Sequence, residues 1–167
     1  MAGTRGIALA LALGLAACGP SAAEQREALE ATYQTDRATL WNELRAEMKE
    51  QFPATGLAIE DEQQGLIESK WKSIEAEQAL NEDSKGDRFA QPQRTVFKVM
   101  VKIDPEGPPW HISVDGEAAR YRPELSALEP LKRGTEDEPA WVRNRINSMR
   151  VALHKRLKPY AVKKVTP

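Results

Sequence analysis

Between Glu24 and Phe52, apolar residues recur at Leu29, Tyr33, Leu40, Leu44, Met48 and Phe52, with Trp41 beside them. These steps of four and seven predict one long helix with a single buried stripe, read as core packing rather than a coiled-coil surface. Arg37 and Ala38 interrupt the stripe, Thr35 and Asp36 could cap a second helix, and Pro53 closes the element. A hairpin follows: Gly56–Glu60, a turn ending at Gly65, then residues 66–73 with Ile67, Ser69, Trp71 and Ser73 on one face. A helix over 66–79 fits Ile67, Trp71 and Ile74 as well; the hairpin is preferred.

The strictest alternation comes next. Thr95, Phe97, Val99, Val101 and Ile103 oppose Arg94, Lys98 and Lys102, which predicts a half-buried antiparallel strand. After the turn at 104–109, Trp110, Ile112 and Val114 alternate with His111, Ser113 and Asp115. Gly116 is expected to end or bulge this strand, with pairing resuming near Ala119–Tyr121 and an irregular stretch over 123–130. Val142, Ile146, Met149, Leu153 and Leu157 then step by four, three, four and four in a last helix. Residues 135–139 carry its start signals and Pro159 stops it. The predicted fold is α+β: a long N-terminal helix, a four-stranded antiparallel sheet, and a C-terminal helix packed on one sheet face. Residues 24–160 form one domain.

Ahead of this body, Arg5 precedes the apolar run Gly6–Ala17. Twelve helical residues span about 18 Å, too short for a hydrocarbon layer of about 30 Å, so residues 1–17 read as an export leader. It ends Leu15-Ala16-Ala17-Cys18, which resembles the lipobox of bacterial lipoproteins. That resemblance implies diacylglycerol on the Cys18 sulfur, cleavage before Cys18 and a fatty acyl group such as palmitate on the new amine. Stable anchoring needs more than one acyl chain. Gly19, where enterobacterial inner-membrane lipoproteins carry aspartate, implies the outer membrane. Residues 18–23 are then a lipidated tether to a periplasm-facing body.

Cys18 is the one cysteine, so its acylation leaves no thiol for a disulfide, a thiolate metal site or a cysteine nucleophile. The net charge of −1 conceals an asymmetry: residues 140–167 hold eight basic side chains and no acidic one. The acidic remainder argues against a nucleic-acid partner. Arg143, Arg145, Arg150, Lys155, Arg156 and Lys158 make a candidate interaction surface, continued by a basic tail over 161–167. An anionic lipid headgroup, an acidic envelope protein and the chain's own acidic helix are its three possible partners.

The order helix, Gly56–Glu60, turn, Gly65–Trp71, two further strands and closing helix resembles the helix-grip modules of the lipoprotein C subunit of the bacterial β-barrel assembly machine. It covers roughly residues 39–160 and implies a scaffold or accessory role in envelope assembly or secretion. That family has a long unstructured segment after its anchor, unlike the short tether here, and no catalytic residues.

No catalytic set stands out. His111 and His154 read as surface histidines without metal-ligand spacing. Residues 81–92 superficially suggest a calcium loop, but Lys85 and Pro92 stand where oxygen ligands are needed. Asp61 with Glu62 and Asp137 with Glu138 read as turn and cap residues, and no serine has an evident base. No cofactor and no metal are expected. The alternative to a scaffold is a carrier holding a lipid or small apolar ligand between helix and sheet, with Trp71 and Trp110 lining the groove.

Overall fold

Ser21 opens the fold. In the computed structural model, which describes residues 19–73, 95–122, 125–135 and 138–162, Ser21 forms a capping box with Glu24. The Glu24 backbone N–H donates to Ser21 Oγ at 3.3 Å, and the Ser21 backbone N–H donates to Glu24 Oε2 at 2.9 Å. Helix α1 runs Ala22–Glu30, so Ala22 and Ala23 are helical rather than tether. The leader, Cys18 and the basic residues Lys163 and Lys164 lie outside the described residues, as does the rejected calcium-like segment.

The expected single helix over 24–52 is two helices. Ala31 turns extended, Thr32–Tyr33 form strand β1, and α2 runs Arg37–Gln51. Two local forces break it. Asp36 Oδ1 accepts the Thr39 N–H at 2.8 Å, a cap that competes with continuation. The Thr32–Gln34 backbone finds long-range partners: Val162 donates to the Thr32 carbonyl, and Gln34 donates to the Tyr160 carbonyl. Leu29, counted in the stripe, is 54% exposed.

The four expected strands become seven. Along the chain after β1 they are β2 Leu57–Asp61, β3 Leu66–Ser69, β4 Lys72–Ser73, β5 Thr95–Ile103, β6 Trp110–Arg122 and β7 Ala127–Pro130. Two long strands, β5 and β6, pair antiparallel from Thr95↔Arg120 to Ile103↔Ile112. On the outer side of β5, β3 pairs with Met100–Lys102 and β4 with Val96–Phe97; β2 extends the sheet beyond β3. On the outer side of β6, β1 pairs with Trp110–His111 and β7 with Ala119–Arg122. The hairpin reading of 66–73 therefore stands as two short strands, and residues 74–79 lie outside the described residues.

Gly116 neither ends nor bulges β6; it pairs with Val99 inside an uninterrupted strand. Its role is space. A Cβ there would lie 2.9 Å from Ile146 Cγ1 and Cδ1 and 3.1 Å from the Lys98 carbonyl oxygen.

Helix α3, Ala140–Leu157, lies on the same side of the sheet as α2, and a 3-10 turn Lys158–Tyr160 leads to a bridge between Ala161 and Tyr33. All five predicted core residues of α3 are buried, from Val142 at 0% to Met149 at 6%. They meet Leu40, Leu44 and Met48 of α2 and Val99 and Val101 of β5, all 0–1% exposed. Burying such a layer is the main apolar stabilisation available to the fold. The C-terminal helix thus packs on the sheet, as its periodicity predicts.

Candidate functional site

The six predicted cations of α3 do not share one free face. Arg156 turns onto α2: its Nε meets Glu43 Oε2 at 2.8 Å, and its Nη1 meets Glu47 and Glu50 at 3.0 Å each. Lys155 turns onto α1, with Nζ 2.9 Å from Glu24 Oε1. Arg150 turns onto the sheet and donates to the Val114 carbonyl at 2.9 Å and to Asn147 Oδ1 at 3.0 Å. Arg143 is largely exposed, with its Nε 4.0 Å from Glu138. Arg145 and Lys158 are exposed. Of the three partners weighed for this surface, the chain's own acidic helices occupy Arg156 and Lys155.

These contacts clasp α1 to α3. The Lys155 hydrogen bond, then the Ser21 N–H and hydroxyl, hold the Glu24 carboxyl down from its ordinary 4.5 to about 2. The unfolded chain therefore protonates Glu24 before the folded chain does. The clasp is fully present above about pH 4.5 and is lost as pH falls through about 2. Amide exchange should show protection of α1 declining across that window while α3 stays protected. Glu24→Gln should show reduced α1 protection already at neutral pH. Unchanged α1 protection in both cases would contradict the clasp.

His154, expected on the surface, is buried at 6%. Helix α1 folds back across α3 and covers it. Its Nδ1 lies 3.0 Å from the Tyr33 hydroxyl, and its Nε2 lies 3.3 Å from Glu27 Oε1. A carboxylate only accepts, so Nε2–H donates to Glu27, and in the neutral imidazole the Tyr33 O–H donates to Nδ1. Burial, and then the Glu27 charge, hold the Tyr33 hydroxyl above the ordinary tyrosine range, which keeps that proton in place. A histidine between a phenol and a carboxylate has the components of a proton relay. No nucleophile adjoins it among the residues that form these bonds.

The sequence missed this constellation because Leu153 and Leu157 dominate the helix period. A second stripe, Ser148, Val151, Ala152 and His154, was the available signal for a further helix on that side. Beside His154 a groove of about 510 Å³ runs between α1 and the C-terminal end, lined in part by Ala23, Arg26, Ala31, Lys158 and Val162.

The remaining candidates resolve into structural parts. The layer between helices and sheet, where the carrier alternative needs a groove, is filled by the core side chains named above. Trp110 is half-buried and its indole N–H donates to the Thr35 carbonyl at 2.9 Å. Trp71, on the other sheet face, stacks with the Lys98 ammonium at 5.2 Å from its ring centroid. His111 Nε2 lies 3.3 Å from the Leu29 carbonyl. Asp61 accepts the Gln64 N–H within a turn, and Glu138 accepts the Gly134 N–H at 2.9 Å.

Among the described residues there is no group of three or more histidine, cysteine or acidic side chains that could hold a metal ion. Among them, too, no helix is long and apolar enough to cross a membrane. No protein-family model matches the chain, and no curated protein matches it either.

Proposed function

We propose that this protein is a lipid-anchored, periplasm-facing lipoprotein of the outer membrane. It works as a non-enzymatic scaffold or accessory subunit in envelope assembly or secretion. One observation carries the reading: Leu15-Ala16-Ala17-Cys18 stands three residues ahead of the Ser21 capping box. Three residues reach about 10 Å. Acyl chains on Cys18 would therefore hold α1, and through Lys155 and His154 the body behind it, close to the lipid surface. The envelope-assembly part of the proposal rests on the resemblance to the lipoprotein C subunit, and the outward cations Arg145 and Lys158 offer contact points.

Fractionation and intact-mass analysis of the native protein test it. The wild-type chain should begin at Cys18, carry fatty acyl groups and sediment with membranes, whereas Cys18→Ser should appear in the soluble fraction. A native protein that starts elsewhere, lacks acyl groups and is soluble would end the proposal. In-cell crosslinking from positions 145 and 158 should capture a recurrent envelope protein in the wild type and lose it in Cys18→Ser.

A further inference from the structure

Arg150 is the odd cation of α3. It is half-buried, yet among the described residues its guanidinium bonds only neutral oxygens, the Val114 carbonyl and Asn147 Oδ1. Two of its five N–H donors are accounted for. Taking a guanidinium out of water without a bonded counter-charge is costly. Asp115, whose charge acts on Arg150, is already engaged by Arg133 and by the Gly116 N–H. Burial, and then repulsion from Arg133, lower the Arg150 pKa against the pull of Asp115. A third guanidinium, Arg143, borders the same place.

Arg133, Arg143 and Arg150 line one pocket of about 210 Å³ between the turn before α3 and the helix itself. Glu138 also lines it, but its carboxylate is 4% exposed and turned to the Gly134 N–H. Among the described residues, three guanidinium groups against the carboxylates of Asp115 and Glu138 leave one positive charge in excess. Asn147 adds an amide at the wall.

We propose that this pocket binds a tetrahedral oxyanion of the phosphate class, held by Arg150 and Arg143 and flanked by Arg133. Planar guanidinium forks match phosphate oxygens with paired hydrogen bonds. The bound anion supplies the counter-charge that Arg150 lacks. The source is either a soluble phosphate compound or a phospholipid headgroup; the chemistry recognised is the same. The site is independent of the lipid anchor.

Titration of the full-length chain with inorganic phosphate, followed by calorimetry and by the NMR signals of the arginine side chains, tests the site. Phosphate should bind saturably and more tightly at lower ionic strength. Arg143→Gln, which removes an exposed side chain, should weaken binding about tenfold, the loss of one charge-assisted contact. Arg145→Gln, on the same helix but outside the pocket, should leave it unchanged.

Vesicles of phosphatidylcholine with or without phosphatidylglycerol, mixed with the Cys18→Ser chain, separate the sources. Adhesion to the anionic vesicles that Arg143→Gln weakens and free phosphate competes away assigns a headgroup. Phosphate binding with vesicle adhesion indifferent to Arg143→Gln assigns a soluble ligand. Equal losses from Arg143→Gln and Arg145→Gln would overturn the proposal in favour of a diffuse basic field. So would phosphate binding that appears only after Glu136→Gln and Asp137→Asn, because those neighbouring acids would then be the counter-charge.

Discussion

Replacing Gly116 with valine should cost about 3 kcal/mol of stability, the upper end of what overpacking a well-filled core usually costs. The new Cβ would start 2.9 Å from two carbons of Ile146 and 3.1 Å from the Lys98 carbonyl oxygen. Ile146 is 3% exposed and borders only the small pocket beside Arg150, and the carbonyl belongs to the β5 backbone. Something must shift: Ile146 turns toward the pocket it borders or α3 moves off the sheet, and the Lys98 carbonyl must give as well. Valine's preference for strands cannot repair a clash of that kind. Urea unfolding should show a lower midpoint with an unchanged slope. The diagnostic is the double variant. Ile146→Ala alone should cost about 2–5 kcal/mol through its cavity. Combined with Gly116→Val, the two losses should fall short of their sum by about 1–2 kcal/mol, because each makes room for the other. Strict additivity, or a Gly116→Val cost below about 1 kcal/mol, would mean that α3 does not bear on Gly116.

What the sequence reveals follows from how one-sided each element's burial is. β5 has a buried face and a charged face, so its period of two is plain in Phe97, Val99, Val101 and Ile103. The stripe from Val142 to Leu157 is plain for the same reason. β7 is exposed at all four residues, so no alternation marks it, and it exists because the adjacent end of β6, Ala119–Arg122, offers it backbone partners. β1 has two residues, too few for any period, and its register is set by Trp110 and His111. The extension of β6 through Gly116 is hidden by the glycine itself, whose meaning depends on Ile146, thirty residues further on.

The candidate surface of α3 was legible as charge and not as geometry. Six cations can be counted in the sequence, but three of them, Arg150, Lys155 and Arg156, turn onto three other elements. One signal was present: Glu43, Glu47 and Glu50 fall four and three residues apart, a single acidic stripe on α2. A basic helix and an acidic stripe in one small domain are natural partners. Choosing between that pairing and an outside partner requires the order of the helices in space.

That pairing predicts the second large effect. Arg156→Met should destabilise the fold by about 2 kcal/mol, less than removing one partner of a fully buried ion pair costs, because the Arg156 side chain is 30% exposed. The three carboxylates it meets are not equal. Glu47 has a side chain 9% exposed, Glu43 34% and Glu50 69%. Loss of the guanidinium leaves Glu47 away from water with the Gln51 amide at 2.9 Å but no counter-charge among the described residues, and leaves three like charges on one helix face. Hydrogen bonds that Arg156 donates to Glu43 and then Glu47 raise its pKa further above its ordinary value, so the cation is present at every accessible pH. Arg156→Lys should recover part of the loss, since an ammonium keeps the charge but lacks the planar fork. Glu50→Gln should change stability by no more than about 0.5 kcal/mol, because that contact is open to solvent and screened by salt. The deciding variant is Arg156→Met with Glu47→Met, which removes both charges and fills the space with apolar volume. It should regain most of the stability that Arg156→Met alone loses, because the penalty comes from the stranded carboxylate rather than from the missing attraction. A double variant no better than Arg156→Met, in equilibrium unfolding at neutral pH, would place the cost in lost packing between α2 and α3 instead.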